Sequence, residues 1–294
     1  MTWLIFTLIA AFFFTIANMI DNYFANHIFK NTHVLIFYVS LLNLLFIPFI
    51  FLFQTPNLPT LAQLPLLIIL GLENTLYLYP YYKALQSDDT STVVSLFSIG
   101  KMFVPLLAFF IVGELLTFTQ YVGFAIIIIA STLLTWKGKI QFNKSLGYMI
   151  VTSLLIAIGI VTYKYLYTTA TWSTGFVWAT IFSFFVALPL LLISTIRKQI
   201  KVQFPQFKKN IKLFIAEEFV TFLGLATFTY ALTLQKVSIV EAVVSIQPFI
   251  VIVITIIARQ YWPTIFKEDI SAKVLAKKST LFIIMIIGVY LVLK

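Results

Sequence analysis

The 294-residue chain contains no cysteine, and only 10% of it is charged. The first absence excludes a disulfide framework and thiolate metal ligation. The second is well under the roughly one quarter typical of soluble domains. Histidine is scarce too: His27 and His33 flank one loop and read as solvated rather than as ligands. No Walker sequence occurs, which argues against ATP coupling within the chain. Asp88-Asp89 is an isolated acidic pair without a companion motif for a metal or a diphosphate. No catalytic site, metal site or cofactor is expected, and the chain does not read as an enzyme.

Apolar length takes the place of the missing charge. Hydrophobic residues make up 61% of the chain and mean hydropathy is +1.02, values of an integral membrane protein. Ten apolar stretches of bilayer-spanning length read as helices: 3–25, 33–53, 62–86, 91–112, 117–136, 146–168, 172–194, 212–234, 238–259 and 279–293. The first lacks a basic leader, runs too long and contains Asn18 and Asp21, so it is expected to be a span and not a cleaved signal. Trp3, Trp136, Trp172 and Trp262 fall at proposed ends, where amphipathic rings favour the interface. Two connections are longer, 197–212 and 262–278. In the second, Phe266, Ile270 and Val274 recur every four residues among lysines, which fits a basic surface helix and a solvated linker equally.

Basic charge is sorted by side. Of 20 Lys and Arg, 16 fall on the face carrying the connections after stretches 1, 3, 5, 7 and 9. The positive-inside rule then places both termini outside the cytoplasm in a multi-pass arrangement across the cytoplasmic (inner) membrane. The net charge of +10 therefore reports orientation and contact with membrane lipids, not binding of nucleic acid.

One charge escapes this sorting. Lys101 stands near the middle of the fourth stretch, roughly 15 Å from either end. Lysine at that depth costs about 2.5–3.5 kcal/mol on insertion scales, so it faces a cavity or pairs with a carboxylate. Pro105 cannot donate to the carbonyl four residues earlier, which predicts an unpaired Lys101 carbonyl beside the buried ammonium.

The two halves of the chain are weakly alike. Ala84-Leu85, Ser91 and Ser98-Ile99 recur 147 residues later as Ala231-Leu232, Ser238 and Ser245-Ile246, with Lys101 opposite Pro248. Five helices per copy would invert the second copy relative to the first, a common transporter design with its site at the repeat interface. Here the chain resembles the drug/metabolite transporter superfamily, in particular its ten-helix EamA-type members. The resemblance rests on Ala84-Leu85 with Ser91, Gly113-Glu114-Leu115, Gln120-Tyr121-Val122-Gly123, Tyr230-Ala231-Leu232, Ser238, Gln247-Pro248 and Gly288-Val289-Tyr290-Leu291. Asn18-Met19-Ile20-Asp21 with Tyr23 is similar to a first-helix pattern of some members. The resemblance implies an all-α membrane fold of ten helices in two inverted five-helix repeats, 1–140 and 141–294. It also implies a central cavity walled by helices 1, 3, 4, 6, 8 and 9. Two features depart from it. The family usually has proline where Lys101 stands, and it commonly places both termini in the cytoplasm.

Candidate binding residues are Lys101, Glu73, Asn74, Tyr77, Tyr81, Asn18, Ser98, Ser245 and Gln247. Glu73 lies about as deep as Lys101, and the two are expected to pair, either as a permanent bridge or as a link that substrate or proton breaks. Tyr77 and Tyr81 share a face with Glu73 and Asn74, suited to packing or to stacking on an organic solute. Asp21 shares a face with Asn18 but sits near a helix end, which fits solvation somewhat better than a substrate contact. Candidates for gating or coupling are Asp21, Lys164, Glu217, Glu218, Glu241, Pro105 and Pro248. Adjacent Glu217 and Glu218 point about 100° apart, so at most one is expected to face the cavity. Glu241 either meets Lys164 as an outer gate or sits in a first helical turn because the helix dipole favours it there. Pro80, Pro105 and Pro248 are expected bending points.

The expected function is secondary transport, in the direction of export, of a small organic metabolite bearing a carboxylate or phosphate, such as an amino acid, by alternating access with Lys101 central in the cavity. A lipid or lipid-carrier flippase is the alternative; a non-transporting sensor or a membrane enzyme fits less well. Expected partners are the small-molecule substrate and membrane lipids, with the chain a monomer or homodimer.

Overall fold

The computed structural model describes residues 1–29, 31–87, 93, 96–97, 101–135, 144–261 and 272–294. Among these the regular structure is entirely helical, as a chain with few polar side chains requires when its backbone groups must pair within the membrane. In chain order the helices are α1 (Thr2–Tyr23), α2 (Thr32–Asn43), α3 (Leu64–Leu76), α4 (Leu78–Leu85), α5 (Phe103–Val112), α6 (Phe118–Thr135) and α7 (Lys144–Leu166). There follow α8 (Trp172–Ala187), α9 (Ser194–Lys209), α10 (Ile211–Leu234), α11 (Val237–Val244), α12 (Gln247–Tyr261) and α13 (Ala272–Val292). Among the described residues five helical runs are long and apolar enough to cross a membrane: Thr2–Ile28, Thr32–Ile50, Lys144–Leu166, Trp172–Leu191 and Val237–Ile254. Phe103–Val112 and Phe118–Leu133 are shorter and also apolar. The described residues are thus all-helical, and their apolar runs fit a multi-pass membrane protein.

Three helices are interrupted for one reason. Tyr77 separates α3 from α4, Lys101 and Met102 form a turn before α5, and Ser245-Ile246 separates α11 from α12. Each break lies within one turn before a proline, Pro80, Pro105 or Pro248, which removes the hydrogen bond to the carbonyl four residues earlier. At Lys101 the chain tightens to compensate. The Lys101 carbonyl accepts from the Val104 amide at 3.0 Å, so it is not the free acceptor the sequence suggested.

A helix also stands where a long connection was expected. In α9 the side chains of Ile196, Ile200 and Phe207 are buried, while Arg197, Lys198, Lys201, Lys208 and Lys209 are exposed. The Phe207 ring stacks on Tyr38 at 4.0 Å, and the Tyr38 hydroxyl donates to the Ile200 carbonyl at 2.9 Å. α9 thus has the amphipathic, basic character that the sequence suggested for 262–278, most of which lies outside the described residues.

Long helices pack in pairs: α1 along α10, α3 and α4 along α7, α3 along α8, and α6 along α13. The last pair is set by two glycines. A Cβ at Gly123 would lie 2.7 Å from the Gly288 carbonyl oxygen, and one at Gly288 would lie 2.7 Å from Ile127 Cγ1. The backbones meet only because neither residue has a side chain, the small-residue logic of membrane helix crossings. Gly123→Leu is therefore expected to destabilise the protein by about 1–3 kcal/mol or more, read as a lowered Tm in detergent. Gly147→Ala, where an added Cβ meets nothing within 4 Å, should leave the Tm unchanged or raised.

Candidate functional site

The breaks in α3–α4, before α5 and in α11–α12 surround one cavity of about 160 Å³, large enough for roughly ten waters. α1 contributes Asn18 and Asp21; Glu73, Asn74, Tyr77 and Tyr81 come from α3 and α4. Lys101 enters from the turn before α5, Ser153 and Tyr163 from α7, Thr221 from α10, Glu241 from α11 and Gln247 from α12. Apolar rings, Phe14, Phe97 and Phe228 among them, complete the wall.

The central contact is an ion pair. Lys101 Nζ lies 3.0 Å from Glu241 Oε1, and both side chains are more than nine-tenths buried. This corrects two expected pairings at once. Lys101 is not paired with Glu73, and Glu241 does not meet Lys164. Lys164 Nζ instead donates to the Leu232 and Gln235 carbonyls at 2.7 and 2.8 Å, where the last carbonyls of α10 attract a cation. Nor is Glu241 a first-turn acid. That place is taken from outside by Glu114, whose carboxylate accepts from the Val237 and Ser238 amides at 2.8 and 3.1 Å.

Glu114 was missed as a site residue because a carboxylate just after a helix reads as a loop charge. Its position follows from Gly113, which adopts φ +70 and ends α5 in the left-handed conformation that glycine tolerates. The Glu114 amide bonds back to the Ala108 carbonyl at 3.1 Å, and this turn presents the carboxylate to α11. Lys236 Nζ adds a bond of 2.6 Å to the Leu115 carbonyl. The end of α5 and the start of α11 are thus latched together, about one turn along α11 from Glu241.

Glu73 has no hydrogen bond or ion pair with the protein among the described residues, and its side chain occupies the space a Cβ on Gly159 would fill. The neighbouring Asn74 amide donates to the Tyr163 hydroxyl at 3.1 Å. Asp21 is buried, not solvated as expected: the Tyr81 and Tyr82 hydroxyls approach its two oxygens at 3.0 and 3.1 Å. The Tyr81 hydroxyl also lies 2.8 Å from Asn18 Oδ1, so its single hydrogen is shared between two acceptors.

A second, smaller cavity of about 70 Å³ shares Asp21, Asn74, Tyr77, Thr221 and Leu225 with the first. Glu217 and Glu218 both line it, and neither lines the larger cavity, which at most one of them was expected to face. Thr221 donates to Glu217 Oε1 at 2.7 Å, while Glu217 Oε2 and both oxygens of Glu218 are buried without a hydrogen-bond partner. Ser245 is buried and donates back to the Glu241 carbonyl at 2.9 Å; it supports the ion pair from behind and does not line the cavity. Ser98 lies outside the described residues, and so do Asp88, Asp89, Trp136 and Trp262. Pro105 and Pro248 act on the backbone, as described above. No group of three His, Cys, Asp or Glu able to hold a metal occurs among the described residues.

Residues 1–136 match the model of the EamA-like transporter family. This segment is similar to that family. The EamA-like segment supplies α1 to α6, and with them Asn18, Asp21, Glu73, Asn74, Tyr77, Tyr81 and Lys101. A solved crystal structure has the same fold, with a TM-score of 0.64 at 13% identity over 98% of this chain and 97% of that one. No curated protein matches the sequence.

The Glu114 latch has a direct test. Glu114→Ala leaves two amides at the start of α11 without their acceptor and should cost about 1–2 kcal/mol, seen as a lowered Tm and as faster amide exchange at Val237 and Ser238.

Proposed function

We propose that the protein is a secondary transporter of the drug/metabolite type that moves a small organic metabolite across the cytoplasmic (inner) membrane by alternating access. In this reading ten spanning helices form two inverted five-helix repeats, residues 1–140 and 141–294. The packing supports the repeat. Under an exchange of the two halves, α1 against α10 becomes α7 against α3 and α4, while α5 against α7 becomes α11 and α12 against α1. The pairs α6–α13 and α5–α11 map onto themselves. Both termini are placed outside the cytoplasm by the Lys and Arg count, and export is the direction the family resemblance favours. The working unit is a monomer or homodimer in lipid.

The observation that carries the mechanism is the buried Lys101–Glu241 pair. It ties together two segments that occupy the same place in the two halves, at the wall of the cavity. Substrate entering the cavity competes for these charges, and loosening the pair lets the ends of α5 and α11 separate. Lys101 is therefore central as one partner of a switch and no longer as a free cation. That removes the reason for requiring a carboxylate or phosphate on the solute.

A buried charge deprived of its partner destabilises a protein by about 3–5 kcal/mol, whereas removal of both charges is far milder. Lys101→Met and Glu241→Gln should each lower Tm strongly, and the double variant should recover much of the loss. Transport is the discriminating readout, with uptake of a pool of radiolabelled amines, amino acids and organic acids into proteoliposomes. The switch predicts at least tenfold slower uptake in the double variant despite its recovered stability. Uptake at the wild-type rate would reduce the pair to a structural bridge.

A further inference from the structure

The two cavities, which share part of their walls, hold an imbalance of charge. Among the described residues these walls carry five carboxyl groups, Asp21, Glu73, Glu217, Glu218 and Glu241, against one cation, Lys101. Lys101 already has its anion in Glu241. Of the remaining four, Asp21 and Glu217 have hydroxyl donors, while Glu218 has both oxygens buried and unpartnered. Glu73 is 7% exposed, faces the larger cavity and receives no hydrogen bond from the protein among the described residues. Carboxylate groups are acceptors, and a buried acceptor without a donor is costly to leave unmade. What the cavity lacks is a donor with positive charge.

Resting on the transporter reading above, we infer that the transported solute is a small organic cation, a protonated amine whose ammonium hydrogens are received by Glu73. The rest of the wall suits that ligand. Tyr77 and Tyr81 lie beside Glu73, their rings 6.3 Å apart, and Phe97 lies 5.7 Å from Tyr81, offering the π faces to which cations are drawn. The apolar remainder, Phe14, Val104 and Phe228, accommodates a hydrocarbon body. Beyond Tyr77 and Asn74, the smaller cavity with Glu217 and Glu218 has room and charge for a second ammonium, so a diamine should bind more tightly than a monoamine. An anionic solute meets the opposite environment, since it must displace Glu241 from Lys101 and then face Glu73.

The test is binding by the full-length protein in detergent, followed by calorimetry and by ligand-induced rise in Tm. The probes are butylamine, 1,4-diaminobutane, tetramethylammonium and succinate. The inference predicts that both amines bind, the diamine at least threefold more tightly, and that tetramethylammonium, which has no N–H to donate, binds at least tenfold more weakly than butylamine. Glu73→Gln should weaken amine binding at least tenfold, and Glu73→Asp, which keeps the charge, should recover part of it. The Tm of each variant without ligand separates loss of binding from loss of folding. Equal amine binding by wild type and Glu73→Gln would overturn the site. Binding of succinate in place of the amines, or of no probe at all, would overturn the substrate class, the latter meaning that protons alone neutralise these acids. Neither failure touches the transporter reading, which the Lys101 and Glu241 variants judge through uptake of the mixed pool.

Discussion

The bond on which this structure turns is the one between Lys101 and Glu241, 3.0 Å long and buried at the wall of the central cavity. Two opposite charges inside a helical membrane protein hold their positions only together, because each alone lacks the water that would stabilise it. That requirement fixes where the turn before α5 sits relative to α11. The prolines make the arrangement possible, because Pro105 and Pro248 break their helices where the polar groups must leave the regular ladder. Irregular backbone at this depth is tolerated where it lines a cavity.

A second set of polar contacts gathers at one end of the same two helices. The Glu114 carboxylate covers the start of α11, Lys236 bonds to the Leu115 carbonyl, and Lys164 closes the end of α10. These bonds join the ends that follow α5, α7 and α10, while the cavity wall reaches toward the other ends of those helices at Ser153 and Thr221. A closed end, a cavity and a charge pair between them are the elements that the proposed alternating access would open in turn. Alternating access needs such bistable contacts, and packed helices supply them because they shift between discrete arrangements rather than deform smoothly.

Much of this was legible in the sequence, and the limits are instructive. Apolar length located the helices, and the prolines located their breaks, because both signals are local. The cavity residues Lys101, Glu73, Asn74, Tyr77 and Asn18 stood out as polar groups inside apolar runs. Their partners did not. Depth along a span suggested Glu73 for Lys101, yet the pair formed with Glu241, since helix rotation and neighbour order are set by packing that no single stretch reveals. The Lys101 carbonyl was misjudged because a tighter turn supplied a donor from Val104. Glu114 was read only as part of a motif, since the amides it covers lie more than 120 residues further along the chain. α9 falls in a stretch whose sequence suggests a connection, because its lysines hide an apolar stripe of Ile196, Ile200 and Phe207.

Because the natural chain has no cysteine, spin labels can be attached at chosen sites without other changes. Phe118 and Leu234 are exposed at the latched end, 83% and 45%, next to α5 and α11 respectively. Distances between labels at these two positions, measured by double electron–electron resonance in nanodiscs, test the switch most directly. The account predicts one short distance in the otherwise wild-type protein and a second, longer population in the Lys101→Met background. A single unchanged distance in both would contradict it.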